Sequence, residues 1–386
     1  MTEKLNVLIL ISHYLPGTKL GGPLTSIVNL TCSLANNFNF FIITSDRDMN
    51  EAKPYPNINV GTWLPNNKSL VMYIRRDITC FFHIIKQIKA LNPDIIYVNS
   101  FLDPFFSIFI VLAQRFNFIS QTKIIVAPRG ELLEQALEFK QTKKKLFIKL
   151  AKILNLYRSV TWHATTEIEK KFISKNMNIS LQKIKVARNI SNTDTPTIIK
   201  NINLNENDYL KIIFLARISK DKNIQFTFDV LKEITDINIQ YDIYGPIEDI
   251  DIWELCQKKL TLLPSNINVN YKGLVRKENV KQILAKYDLF FMPSFSENYG
   301  HSIAEALSVG TPVLISDKTP WRDLSTKGLG WDLNLKDKKK FIETIQDLYS
   351  ISPRLREGQR EQRIKTSLLI LNDPIIYQEN FNLLAL

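Results

Sequence analysis

Pro293 to Val313 reads PSFSENYGHSIAEALSVGTPV and follows the apolar run Asp288-Leu289-Phe290-Phe291-Met292. A short apolar run closed by turn residues is the mark of a buried strand. Gly300 and Ser302 then signal a helix start, and Ile303, Ala304, Ala306 and Leu307 supply its buried face. The segment is therefore read as strand, loop and helix. Glu297 sits on the loop at the carboxyl end of the strand, and Glu305 sits about a turn inside the helix, eight positions on. A helix amino end presents free N–H groups and the positive end of a dipole, which suits a phosphate. Carboxylates on either side of a phosphate accept hydrogen bonds from sugar hydroxyls. That arrangement suits a nucleotide-sugar.

Outward from this segment, apolar runs alternate with longer helical patterns, which predicts parallel sheets covered by helices. In the first half, strands are expected at Val7–Ile11, Phe40–Thr44, Ile95–Asn99, Ile124–Ala127 and Thr161–Ala164, with helices such as Thr25–Ala35 and Ile78–Leu91 between them. The second half repeats the alternation, with strands at Lys211–Leu215, Gln240–Tyr244, Asn268–Tyr271, Leu289–Met292 and Val313–Ser316. Its helices are expected near Asn223–Ile234, Lys277–Lys286 and Ser302–Val309. The expected domains are 1–190, which would bind the acceptor, and 209–365, which would bind the nucleotide-sugar. A polar linker at 191–208 joins them, and a terminal segment, 366–386, returns to the first domain. The fold class is α/β, with two doubly wound Rossmann-like domains facing a cleft. Ligands of such sheets bind at the carboxyl ends of the strands.

The chain has 386 residues, enough for two full cores, and its hydrophobic fraction of 45% is that of a globular protein. Cys32, Cys80 and Cys256 are scattered and lack metal-ligand spacing, so a reducing, cytoplasmic compartment is expected. The start lacks the pattern of a signal peptide, and Phe105–Ala113 is too short an apolar run to span a bilayer. The net charge of +12 is concentrated in FKQTKKKLFIKLAK, residues 139–152. On a helix, Leu146, Phe147, Leu150, Ile153 and Leu154 form a stripe with Lys143, Lys144, Lys145, Lys149 and Lys152 around it. Residues 140–154 thus suit a membrane surface. The alternative is an ordinary helix packed on its own domain. No nucleic-acid recognition motif accompanies the basic charge, so a nucleic-acid partner is not expected.

Four further features are candidates for chemistry. Arg217 and Lys222 flank a turn after the strand ending at Leu215, where two cations can clamp a diphosphate. Gly21-Gly22-Pro23 after the first strand lets a backbone approach an anion or a sugar, or serves the turn alone. His163 closes a strand before a helix, either as a hydrogen-bonded structural residue or as a functional one. The triplets Asp46-Arg47-Asp48 and Asp249-Ile250-Asp251 resemble metal-binding patterns, but neither sits convincingly on a strand edge, and no metal is expected.

These residues resemble a known family. Ser296 to Val313, with its E-x7-E spacing and G-x-P-V ending, is similar to the signature of retaining glycosyltransferases of family 4, which have the GT-B fold. The similarity extends to Phe214–Asn223, Tyr244-Gly245-Pro246, Tyr271-x-Gly273 and Gly21-Gly22. Ala127-Pro128-Arg129-Gly130, a lysine-rich helix and His163-Ala164-Thr165 resemble a bacterial branch that builds cell-surface polysaccharides. The resemblance implies that Glu305 holds the ribose hydroxyls and Glu297 the donor sugar, beside Asn298, Tyr299, Gly300, His301 and Ser302. It implies that Arg217 and Lys222 neutralise the departing diphosphate, that Tyr271, Gly273 and Val275 lie near the base, and that Gly21 and Gly22 approach the diphosphate. Arg129 stands near a histidine of many relatives. It stays protonated and so cannot act as a base, but it can contact a phosphate or acceptor oxygen. Arg129 and His163 join the expected catalytic set. The expected reaction is transfer from a nucleotide-sugar to a glycan or polyprenyl-diphosphate-linked acceptor at the inner face of a bacterial membrane, as in O-antigen or capsule synthesis, with no metal or other cofactor. The alternatives are a sugar-nucleotide epimerase, a phosphorylase (which would need a lysine anchor for pyridoxal phosphate), or a catalytically silent assembly partner.

Overall fold

The computed structural model describes residues 3–138, 141–191 and 209–385, so all of the expected linker except Ser191 lies outside the described residues. The chain divides into two compact units. Unit 1 is 1–190 together with 374–386, and unit 2 is 191–373.

Unit 1 is built on an eight-stranded sheet. Its strands are β1 (Leu5–Leu10), β2 (Phe38–Ser45), β3 (Trp63–Asn66), β4 (Ser69–Ile74), β5 (Ile95–Val98), β6 (Lys123–Val126), β7 (Thr161–Ala164) and β8 (Ile184–Val186). They lie in the order β3-β4-β2-β1-β5-β6-β7-β8, parallel throughout except for the antiparallel β3–β4 pair. The central strands are nearly all apolar because helices cover both faces. Val7 and Ile9 of β1 enter one core, while Leu8 and Leu10 enter the other. β3, β4 and β8 add to the strands expected from sequence.

Unit 2 holds a six-stranded, wholly parallel sheet of β9 (Tyr209–Leu215), β10 (Asn238–Tyr244), β11 (Ile267–Gly273), β12 (Leu289–Met292), β13 (Val313–Ser316) and β14 (Gly330–Leu333). Its order is β11-β10-β9-β12-β13-β14. The chain winds outward from β9 on one side and from β12 on the other. The sheet therefore has its topological switch point between β9 and β12, and β1 and β5 form the equivalent point of unit 1.

The return to unit 1 begins later than the sequence reading places it. Residues 366–373 stay in unit 2, because the helix Arg360–Leu371 caps the carbonyls that end the helix His301–Ser308. Ser367 Oγ donates to Leu307 O at 2.8 Å, Arg360 Nη1 to Val309 O at 3.1 Å and Arg363 Nε to Gly310 O at 2.8 Å. The final helix, Pro374–Ala385, belongs to unit 1. Leu383 and Leu384 are buried there, Phe381 packs against Phe38, and Glu379 pairs with Arg188 at 3.0 Å.

Candidate functional site

The loops that leave β9 and β12 meet at the switch point of unit 2. After β9 a short turn, Lys220–Lys222, ends at Asn223 in the left-handed conformation, and the helix Ile224–Leu231 follows. Asn223 Nδ2 donates to Pro293 O at 3.0 Å and Phe295 N donates to Asp221 O at 2.8 Å, tying the two loops together. This places Lys222 Nζ 2.5 Å from Glu297 Oε1 and 3.3 Å from Asp221 Oδ2, with the Lys222 and Glu297 side chains almost enclosed. Burial works against the Lys222 charge, but the two carboxylates outweigh it and raise its pKa above the ordinary value. Asp221 is also disfavoured as an anion by burial, yet Lys222 and the Ser219 hydroxyl (2.6 Å) hold its carboxyl below the usual range. Ser294 Oγ donates to Glu297 Oε1 at 3.2 Å. Arg217 lies on the same loop, half-exposed, and is ion-paired with Glu248. Sequence reading singles out Arg217, Lys222 and Glu297; Asp221 and Glu248 emerge only from the fold.

Gly300 leads into the helix His301–Ser308 with φ of 81°, and no side chain caps this amino end. A Cβ on Gly300 would lie 2.7 Å from Ile303 Cδ1, and left-handed backbone disfavours other residues there. The loop is braced by Trp321, whose Nε1 donates to Tyr299 O at 2.6 Å. Ser302 lies over Met292 at the end of β12, its Oγ 3.8 Å from Sδ. Glu305, one turn in, is only partly exposed. Burial pushes its pKa up to about 7, and Lys277 and Lys281 across from it pull the other way. These lysines come from the segment containing the turn Lys277–Asn279 and the helix Val280–Leu284, where one longer helix was expected.

At the edge strand β11, Tyr271 is exposed and its hydroxyl donates to Gly245 O at 2.9 Å, beside Trp253 at 4.8 Å between ring centres. Gly273 ends β11, where its carbonyl accepts from Gly245 N at 2.8 Å, and Val275 is partly buried beyond it.

The other expected residues lie in unit 1. Gly21 caps and Gly22 begins the helix Gly22–Leu34, three residues earlier than the sequence pattern suggests, with Pro23 in its first turn. His163 is buried in β7, and both ring nitrogens are occupied: Nδ1 by the Tyr97 hydroxyl at 2.6 Å and Nε2 by Ala187 O at 2.8 Å. Burial and the nearby Arg129 charge push its pKa down to about 3. It is a neutral positioning residue with no nitrogen left for a substrate, which corrects its place in the catalytic set. Arg129 reaches Asn99, Asn189 and Tyr97 through its guanidinium.

The acidic triplets serve local structure. Asp46 pairs with Arg47 at 2.8 Å, Asp48 accepts from the backbone of Thr18 and Met49, and Asp249 caps the helix Ile250–Leu260.

Residues 195–366 match the model of the family described as glycosyl transferases group 1. Across more of the chain, an uncharacterized 41.2 kDa protein in the cps region of Klebsiella pneumoniae is 28% identical over 278 residues, covering 70% of this chain and 73% of that protein. Among solved structures, HepE from Anabaena in complex with UDP and glucose superimposes with a TM-score of 0.71 at 16% identity, covering 99% of both chains. Sucrose-phosphate synthase from Thermosynechococcus elongatus gives 0.73 at 14%, covering 99% of this chain and 98% of that one. At these identities the structural likeness establishes the fold, which is GT-B. Together with the match to the group 1 model, it supports a glycosyltransferase.

Proposed function

We propose that the protein is a retaining glycosyltransferase of family 4 that moves a sugar from a nucleotide-sugar to a lipid-linked glycan during synthesis of a bacterial surface polysaccharide such as capsule or O-antigen. The observation that carries this reading is the Lys222–Glu297 pair at the switch point, beside the uncapped amino end of the helix bearing Glu305. Cleavage of a glycosyl–phosphate bond leaves negative charge on the departing diphosphate, and a preorganised cation stabilises that charge. Lys222 is such a cation, kept protonated by its carboxylates, and Arg217 is the second. Glu297 accepts from hydroxyls of the transferred sugar, and Glu305 accepts from the ribose. Tyr271, Gly273 and Val275 border the base. In this scheme fixed cations carry the charge without a divalent metal.

The setting follows from the helix Gln141–Ile153. Ile148 and Ala151 pack inward, whereas Leu146, Leu150, Ile153 and Leu154 are exposed, with Lys143, Lys145, Lys149 and Lys152 also outward. An apolar stripe flanked by lysines suits an anionic membrane surface, where a polyprenyl-diphosphate acceptor would reside. Among the described residues no helix is long and apolar enough to cross a membrane. The capsule-type setting draws on the cps-region relative.

The test is a panel of nucleoside diphosphates and nucleotide-sugars, with and without magnesium, scored by thermal shift and by sugar release. One nucleotide and its sugar should raise Tm without metal, and Lys222→Ala and Glu305→Ala should lose turnover while keeping the wild-type circular dichroism spectrum. Wild-type turnover in both variants refutes the site, and no response to any donor refutes the activity.

A further inference from the structure

Arg129 is an expected site residue with no counter-charge among its described hydrogen-bond partners. It sits just past β6 with φ of 53°, a backbone region that arginine seldom enters and that persists only where neighbours impose it. Its Nε donates to Asn99 Oδ1 at 2.8 Å, its Nη1 to Asn189 Oδ1 at 2.7 Å and its Nη2 to the Tyr97 hydroxyl at 2.8 Å. These partners come from the carboxyl end of β5 and from the chain beyond β8, so the cation is held where such a sheet binds ligands.

All three acceptors are neutral. A guanidinium has five N–H donors, so one N–H on each Nη remains beyond these three bonds. The carboxylate that could pair with it, Glu169, is engaged elsewhere. It accepts from Gly130 N at 2.6 Å and from Thr165 N and Oγ1 at 2.7 Å each. No described carboxylate forms an ion pair with Arg129. The hydroxyl of Tyr97 is oriented as well. His163 Nε2 faces a carbonyl and must donate, so Nδ1 accepts the Tyr97 proton, which leaves the Tyr97 oxygen to accept from Arg129. Amides and a phenol thus fix the guanidinium without cancelling its charge. A half-buried cation without a counter-ion is costly, and a ligand anion offsets that cost.

We propose that Arg129 is the binding residue of a phosphoryl site in unit 1, with Tyr97, Asn99, Asn189 and His163 as its positioning residues, and that its ligand is the diphosphate of the lipid-linked acceptor. The two remaining N–H groups suit two phosphoryl oxygens. The assignment of the acceptor rests on the proposed transferase reading, but the anion site itself does not.

The test is calorimetric titration of the full-length protein with inorganic pyrophosphate. Wild type should show two sites, and Lys222→Gln should retain one of them. Adding Arg129→Gln to Lys222→Gln should weaken that remaining site by about tenfold or more, the loss of a charge-assisted contact. Asn189→Asp in the Lys222→Gln background keeps the packing but supplies a neutralising carboxylate, and should give the same loss in a protein that melts no lower. Unchanged pyrophosphate binding in both of these variants overturns the site. In the Lys222→Gln background, geranyl diphosphate should compete for the site and nucleoside diphosphates should not; competition by nucleoside diphosphates alone overturns the acceptor assignment. If wild type never turns over a nucleotide-sugar while these variants still lose pyrophosphate binding, the anion site stands and only the transferase is refuted.

Discussion

Glu305→Gln should make this protein more stable, by an amount that grows as the pH rises from about 4.5 to about 7. The wild-type carboxyl titrates near 7 in the fold, against 4.5 for an ordinary glutamate, because burial disfavours the anion more than Lys277 and Lys281 favour it. Below pH 4.5 the group is protonated folded or unfolded, and the fold carries no penalty. Between 4.5 and 7 the folded state holds a proton that the unfolded state releases, so wild-type stability falls as pH rises. Above 7 both states are ionised and the whole penalty applies. At about 1.4 kcal/mol per pKa unit the ceiling is about 3 kcal/mol. Because the side chain is partly exposed, solvent screening lowers the expected value to between about 1 and 3 kcal/mol. Glutamine has nearly the same shape and does not titrate. Urea unfolding of both proteins at pH 5, 6, 7 and 8 should therefore give stabilities that are closest at pH 5, separate mainly between pH 5 and 7, and change little further by pH 8. The same variant should bind its nucleoside diphosphate more weakly, since a neutral amide accepts less strongly from ribose hydroxyls. A stability difference that is constant across pH, or that has the opposite sign, would refute the buried-carboxylate argument. A site that retains a destabilising charge is what function at that residue predicts.

Three further outcomes test other parts of the structure. Gly245→Ala would place its Cβ 1.9 Å from Ala216 O at a φ of 136°; we expect a loss of about 3 kcal/mol or more in chemical unfolding, and a loss below about 1 kcal/mol would contradict the close approach of the β9 and β10 ends. Replacing Leu150 and Ile153 by aspartate removes two exposed apolar side chains from the helix Gln141–Ile153 and adds charge repelled by an anionic surface. Co-sedimentation with phosphatidylglycerol vesicles should drop at least about tenfold with Tm little changed, whereas equal binding would exclude this helix as the membrane face. Asp249→Ala removes the side chain that accepts from Ile252 N at the start of a helix and should cost about 1 kcal/mol in thermal or urea unfolding; a change near zero would show that water replaces the cap.

Fold class and the strand–loop–helix segment carrying Glu297 and Glu305 were legible in local pattern. Apolar runs of strand length alternating with helical periods specify buried parallel strands, because only a sheet covered on both faces tolerates such runs. Glu297, Gly300 and Glu305 were readable because strand, loop and helix follow one another directly in the chain. β3, β4, β8 and β14 were missed. β3, β8 and β14 are short edge strands, and Trp63–Asn66, paired with β4, carries Pro65 with little burial to impose a pattern. The end of unit 2 was also misplaced, since the buried face of Arg360–Leu371 includes Arg360, Arg363 and Ser367, which reads as a surface helix until their carbonyl partners are known.

The sequence by itself determined two doubly wound units, a strand–loop–helix with two carboxylates, and a lysine-rich helix with an apolar stripe. Periodicity and turn chemistry act over a few residues, and those properties need no more than that. Only the tertiary structure decided which charges meet. Lys222 and Glu297 lie 75 positions apart and are joined because β9 and β12 are neighbours at the switch point. Arg129 and Asn189 lie 60 apart, and His163 and Tyr97 lie 66 apart. Whether a histidine is a base or a buried brace, and whether an arginine is neutralised or left for a ligand, depends on distances that strand order sets and that no local pattern encodes.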